Sequence, residues 1–312
     1  MRNIIIDCDP GHDDVIAFLV ALANQEELNI LGITTVAGNQ TLAKVTNNIL
    51  KVQDYLGVSI PVSMGYSTPL VKELDVQPQA HGATGMDGPQ IPEPHSRPTG
   101  MHAIEFMKKT LMEAEDKVTM VCIGPLTNMG LFLKTYPELR EKIDCIAIMG
   151  GGVNRGNTLI KAEFNIYHDP DAAKIVFDSG VKVVMAPLEV CYAASILLTE
   201  TEKFAEGGKV SRFVYDLMKF YQGYAIRNGW DRTAIFDAVP VTWLVHPEFF
   251  TAEEYEVYIE TDGRYCRGMT VVDTRGYKGE LKNPKTVLVD ADREKFIEFL
   301  FKCINKLDSI YA

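Results

Sequence analysis

The sequence contains no run of lysine and arginine and no basic amphipathic segment. Acidic residues outnumber basic ones, 42 to 31, for a formal net charge of -11 at pH 7. That balance gives no electrostatic footprint for nucleic acid and no attraction to an anionic membrane. No apolar stretch approaches the length of a membrane span. The apolar run of the N-terminal MRNIIIDCDP is too short for the core of a secretory signal, so a cytoplasmic location is expected. The six cysteines (Cys8, Cys122, Cys145, Cys191, Cys266 and Cys303) are scattered, with neither CxxC nor zinc-type spacing. Reduced thiols are therefore expected instead of a disulfide framework. Internal repeats, low-complexity tracts and a clear linker are absent, and no GxxxxGK[ST] phosphate loop occurs. These absences leave an acidic chain suited to small-molecule chemistry.

What is present is apolar material in a regular arrangement. Hydrophobic residues make up 46% of 312, enough for a sizeable core, and α/β folds of this size often form one unit, here 1–312. Short β-branched runs (NIIID, LNILGITTVAG, KVTMVCIGP, DCIAIMGG, VKVVMAP) alternate with segments of helical periodicity. Fully apolar strands between helices predict an α/β fold, a single Rossmann-like domain with a mostly parallel central sheet and helices on both faces. The C-terminal part reads as strands (YEVYIETDG, GMTVVD, KTVLVD) and a closing helix. The segment 72–100 is rich in proline, glycine and polar residues, which marks it as a candidate lid. A stretch beginning LMKFYQGY and ending VTWLV is helical at both ends with a glycine-containing break, so that about 222–236 forms a second loop region.

In such sheets ligands bind at the carboxyl ends of the strands, and five polar motifs fall there. In DCDPGHDD, four aspartates (Asp7, Asp9, Asp13 and Asp14) follow an apolar strand within eight residues. Asp13 and Asp14 open a helix, where the dipole favours carboxylates by only about 1 kcal/mol, too little to offset their repulsion. A bound hard cation, Ca²⁺ or Mg²⁺, is the simplest remedy; a solvated turn with N-terminal acids is the plainer alternative. TTVAGNQ, with Asn39, is by itself an ordinary strand-to-helix turn. In CIGPLTN, Gly124 and Pro125 free the carbonyl of Ile123 to be a cation ligand, or the strand simply ends with Thr127 as a helix cap. In IMGGG…AEFN, three glycines permit a close backbone approach, and Glu163 and Asn165, two apart, would face one target on an extended chain and suit sugar hydroxyls. In AIFDAVPV, the lone Asp237 is either a helix-capping acid or a fifth acid for the cation.

Taken together, DCDPGHDD, TTVAGNQ, IGPLTN, IMGGG, GNTLIKAEFN, DPDAA, IETDG and GMTVVD resemble the nucleoside hydrolases of the inosine–uridine-preferring type, in the same order and over nearly the whole chain. The resemblance implies hydrolysis of the N-glycosidic bond of ribonucleosides with a bound Ca²⁺. It implies Asp9, Asp14, Asp237 and the carbonyl of Ile123 as calcium ligands, and Asp9 as general base on a metal-bound water. It further implies Asp13, Asn39 and Asn165 on the ribose diol, Asn157 and Glu163 at the 5′-hydroxyl, Met149 lining the sugar pocket and Asp7 as a supporting acid. The resemblance also implies a homodimer or homotetramer.

The chain departs from the pattern at one point. Many family members carry histidine before the last calcium aspartate, where it is thought to protonate the leaving base; here that residue is Phe236, which can stack or pack but cannot donate. His81 is the first candidate to replace it, then Tyr224 and Arg227. Two alternatives to the hydrolase reading are a non-catalytic nucleoside or ribose binder of the same fold and a Mg²⁺-dependent phosphatase of the haloacid-dehalogenase type.

Overall fold

The structure, a computed structural model, describes residues 1–276 and 280–311. Eleven strands occur among them: β1 (Arg2–Cys8), β2 (Leu28–Thr35), β3 (Val62–Met64), β4 (Val118–Cys122), β5 (Ile143–Met149), β6 (Val183–Ala186), β7 (Ile196–Leu197), β8 (Arg232–Thr233), β9 (Phe250–Ile259), β10 (Thr270–Val272) and β11 (Pro284–Ala291). Nine form one sheet in the order β10-β9-β11-β6-β5-β4-β1-β2-β3. From β3 across to β11 every neighbouring pair is parallel, whereas β9 and β10 add antiparallel at the edge. The parallel strands are buried on both faces, which is why they read as continuous apolar runs without alternation.

Twelve α-helices are described: α1 (His12–Ala23), α2 (Leu42–Leu56), α3 (Pro78–His81), α4 (Ala103–Glu113), α5 (Thr127–Thr135), α6 (Phe164–His168), α7 (Pro170–Phe177), α8 (Leu188–Ala193), α9 (Leu198–Thr201), α10 (Lys209–Arg227), α11 (Ala238–Val245) and α12 (Arg293–Ile310). Two apolar cores flank the sheet. One joins α1, α2, α10, α11 and α12, and the other α4, α5 and α7. All twelve residues of α1 are buried, so its apolar surface runs right round; it is a core helix with its acidic N-terminus aimed at the sheet edge.

The order places β1 between β2 and β4. The chain winds one way from β1 to β2 and the other way to reach β4, so a crevice opens at the carboxyl ends of β1 and β4. Two expectations need correction. Helix α10 continues through Gly223, and the break comes at Gly229, whose φ of +73° suits glycine. Glu163 and Asn165 are not on an extended strand: Glu163 caps α6, and Asn165 is its second residue.

Candidate active site at the carboxyl edge of the sheet

Each acid of DCDPGHDD is fixed differently. Asp7 ends on the sheet, where its Oδ1 accepts from Thr34 Oγ1 at 2.6 Å and from Asn128 Nδ2 at 2.8 Å. Asp14 folds back over the loop and accepts from the backbone N–H of Asp9 (3.1 Å) and of Gly11 (2.9 Å), completing the turn into α1. The Asp9 carboxylate takes one backbone bond, from Asn39 N at 2.7 Å, on Oδ2. It fits because two glycines flank it: a Cβ on Gly38 would lie 2.1 Å from Asp9 Oδ2, and one on Gly124 would lie 2.6 Å from Oδ1. Asp13 accepts from the Tyr221 hydroxyl at 3.3 Å. Asp237 stands at the start of α11 without capping a backbone N–H, so it is a fifth acid of the cluster and no helix cap.

All five are at most 5% exposed. Burial, with Asn128 and Thr34 opposing it, raises the Asp7 carboxyl to about 7. Burial and then the charge of Asp14 raise Asp13 to about 7, and burial raises Asp14 to about 6. Asp9 is pushed well up by burial and Asp14, and Asp237 by burial and Asp13. By itself, then, the cluster resists ionisation at neutral pH. Carboxylate oxygens of Asp13, Asp14 and Asp237 lie within 4.8 Å of one another. Asp9 Oδ1 and Asp7 Oδ2 are buried and accept no hydrogen bond. A hard divalent cation is what such an all-oxygen donor set accommodates. These three acids include Asp13, which the resemblance assigned to the ribose.

Two asparagines line the same cavity with their amide nitrogens turned into the protein. Asn39 Nδ2 donates to Asp9 O and Asp14 Oδ2, both at 3.2 Å. Asn165 Nδ2 donates to the carbonyls of Ile123 (3.0 Å) and Met149 (3.1 Å). The Ile123 carbonyl thus takes a side-chain partner at the cavity wall, while Thr127 ties to Asp169 at 2.7 Å and caps nothing. Glu163 accepts from the backbone N–H of Gly151, Asn165 and Ile166, and burial raises it to about 7. The second and third glycines of the GGG run therefore serve Glu163, through Gly151 N, and Thr270, through Gly152 N. Asn157 accepts from Phe164 N at 2.9 Å.

The cavity measures about 360 Å³ and holds Asp13, Asp237, Asn39, Asn165 and Ile123 at its floor. Met149, Asn157, Glu163, Phe236, His81 and Tyr224 also line it. Arg227 does not; its guanidinium reaches Gln79 O at 3.1 Å and ties α10 to the 72–100 segment. That segment is anchored over the site by Gln77 N to Asn39 O and by the buried His81. Three aromatic neighbours escaped the sequence reading: Tyr221, stacked on His12 (5.4 Å); Tyr192, edge-on to Phe236 (5.5 Å); and Trp230, near Tyr224 (5.8 Å). They come from distant parts of the chain and carry no local motif.

The model of the family described as inosine-uridine preferring nucleoside hydrolase matches residues 4–298. The chain belongs to the nucleoside hydrolase family. A pyrimidine-specific ribonucleoside hydrolase RihA from Escherichia coli O1:K1 is 46% identical over 301 residues, covering 95% of this chain and 96% of the relative. Among solved structures, the purine-preferring ribonucleoside hydrolase from Gardnerella vaginalis superposes with a TM-score of 0.92 at 28% identity, over 99% of this chain and 100% of its own. The plant nucleoside hydrolase PpNRh1 gives 0.90 at 28% identity, over 97% and 99%. As a nucleoside hydrolase the chain is an N-glycosidase that splits ribonucleosides into base and ribose. Membership sets aside the phosphatase alternative. No helix among the described residues is long and apolar enough to cross a membrane.

Proposed function

We propose that this nucleoside hydrolase acts on pyrimidine ribonucleosides, with Asp9 as general base and a calcium ion as its resident cation. One observation carries the reading: Asp9 Oδ1 is buried and accepts no hydrogen bond, Asp9 lies near enough to Asp14 and Asp13 for their charges to raise its carboxyl, and of that acid cluster Asp13 and Asp237 line the cavity while Asp9 and Asp14 lie beneath it. Asp9, Asp14, Asp237 and the Ile123 carbonyl would hold the cation, with Asp13 close enough to share it. When bound, the cation supplies orientation of the ribose diol and makes a nearby water more acidic. Asp13 and the side-chain oxygens of Asn39 and Asn165 accept hydrogen bonds from the 2′- and 3′-hydroxyls. Asn157 and Glu163 lie toward the 5′-hydroxyl, and Met149 packs on the sugar. Asp9 takes the proton of the attacking water as C1′ becomes electron-poor, and the surrounding carboxylates favour the oxocarbenium-like transition state. Phe236, Tyr224 and the aromatic wall receive the base.

The pyrimidine preference is supported by the 46% identity to a pyrimidine-specific relative; the solved neighbour that prefers purines stands at 28%. A cytoplasmic location and a homodimer or homotetramer belong to the same reading. The test is base release from uridine, cytidine, inosine and 2′-deoxyuridine, with and without chelation. Uridine and cytidine should lead, deoxyuridine should fail, and Ca²⁺ should restore chelated protein. Equal rates on inosine and uridine would refute the preference.

A further inference from the structure

The departing base needs a proton, and the cavity contains few groups that can give one. Amides, aliphatic hydroxyls, the indole of Trp230 and the guanidiniums of Arg155 and Arg232 are too weakly acidic; Asp13 and Asp237 belong to the cation and ribose side of the proposed reaction, and Glu163 is held by the backbone N–H groups of Gly151, Asn165 and Ile166, which leaves tyrosine and histidine. The Tyr221 hydroxyl is spent on Asp13. Tyr224 is 42% exposed at the mouth. His81 is constrained by a chain of hydrogen bonds. His12 Nε2 lies 2.8 Å from the Asp87 carbonyl, which only accepts, so that nitrogen carries the proton. His81 Nδ1 lies 3.2 Å from His12 Nδ1 and also accepts from the His12 backbone N–H at 3.4 Å, so its two contacts call for opposite tautomers. In either tautomer a neutral imidazole N–H is a weaker acid than a phenol. Burial and then the neighbouring His12 hold His81 well below the ordinary histidine range, so it stays neutral.

Tyr192 remains. It sits on α8, half-buried, and lines the cavity. Its ring meets Phe236 edge-on at 5.5 Å, and the neighbouring Cys191 thiol donates to the Phe236 carbonyl at 3.7 Å, so residue 236 is gripped by both. The Arg155 guanidinium lies 4.1 Å from the centre of the Tyr192 ring. Burial raises the Tyr192 hydroxyl above the ordinary phenol range, and the cation over the ring opposes that by favouring the phenolate, the form left after proton transfer.

We propose that Tyr192 is the catalytic residue that protonates the departing base, with Phe236 fixing its ring and Arg155 easing its ionisation. The inference rests on the reaction proposed for Asp9. The C1′–N bond breaks with its electron pair passing to the base, and the Tyr192 hydroxyl proton goes to that base. Water adds to C1′, its proton goes to Asp9, and solvent returns that proton to the tyrosinate. The sum is nucleoside plus water giving ribose plus base.

The experiment compares Tyr192→Phe with wild type on uridine, cytidine and p-nitrophenyl riboside, whose phenolate leaves without protonation. The variant should lose about 100-fold or more in kcat on the nucleosides, the usual scale of general acid catalysis, and at least about tenfold less on the activated riboside. The alkaline limb of the kcat profile should vanish in Tyr192→Phe and move to higher pH in Arg155→Met. Equal losses on both substrate types would mark Tyr192 as structural and overturn the proposal. So would nucleoside rates within about threefold of wild type, or a leaving-group-dependent loss in His81→Asn instead. If wild type releases base from none of the nucleosides, the reading of Asp9 fails and this proposal with it. If Asp9→Asn is inactive on both substrate types while Tyr192→Phe matches wild type, only this proposal fails.

Discussion

Replacing Gly38 with alanine tests the placement of Asp9 without touching its chemistry. The backbone at Gly38 is outside the left-handed region, so alanine strains nothing by itself. Its Cβ, however, would stand 2.1 Å from Asp9 Oδ2 and 2.8 Å from Pro125 Cδ, where real Cβ atoms essentially never come below 3.0 Å. The carboxylate must retreat by about 1 Å, and a displacement of that size in a reacting group costs on the order of 100-fold in rate. The retreat also loosens the 2.7 Å bond from Asn39 N, a charged-acceptor bond worth about 1.5–3 kcal/mol. Gly38→Ala should therefore fold, melt several degrees lower, and lose about 100-fold in kcat on uridine. KM should change little, since the side-chain amides that line the cavity stay in place. Gly57→Ala serves as the control: its φ is +71° with nothing within 4 Å, so it should cost stability alone. Steady-state kinetics with circular dichroism melting decides. Gly38→Ala within threefold of wild type would show that the cleft between Gly38 and Gly124 does not set Asp9.

Other outcomes follow from the same site. Asp7 and Asp13 titrate near 7 and Asp14 near 6 when folded, against 3.8 for a free carboxyl. Between those values the folded, metal-free chain binds more protons than the unfolded one, so its stability falls as pH rises from about 4 to 7, by up to ~1.4 kcal/mol per unit for each group. Urea unfolding of chelated protein should show that decline and metal-loaded protein should not; a flat metal-free profile would contradict it. Asp237→Asn should weaken Ca²⁺ binding by at least about tenfold in calorimetry, since one charge of the cluster is removed. Glu163→Gln puts an amide where three backbone N–H groups converge, and should cost about 1.5–3 kcal/mol in stability. An unchanged melting temperature would mean that Glu163 does not hold the Gly151 loop.

The acids and the parallel sheet were legible because both leave local traces. A buried parallel strand is a continuous apolar run, and charges at its end stand out against it. Asp237 was legible for the same reason, isolated between apolar neighbours. Glu163 was misjudged because a spacing of two reads as strand alternation, whereas its carboxylate instead caps α6. Asn128 and Thr34, which hold Asp7, lie 121 and 27 residues away and follow no spacing rule. Tyr221 is 208 residues from Asp13, and its helical position looks like any other on α10. The edge strands β9 and β10 were found, but nothing local tells an antiparallel edge from another parallel strand.

Asn39 and Asn165 direct their amide hydrogens inward, to Asp9, Asp14, Ile123 and Met149. What they leave toward the cavity is oxygen, beside the carboxylate of Asp13. The floor of the cavity is thus an array of lone pairs. On the proposed reading it would recognise the hydrogens of the sugar's hydroxyls while the cation takes their oxygens. Fluorine at the 2′ position matches a hydroxyl in size and polarity but brings no hydrogen to donate, so a 2′-fluoro nucleoside would meet repulsion where uridine is held. On that reading, the turn of two side-chain amides would make this site a counter of protons on the sugar.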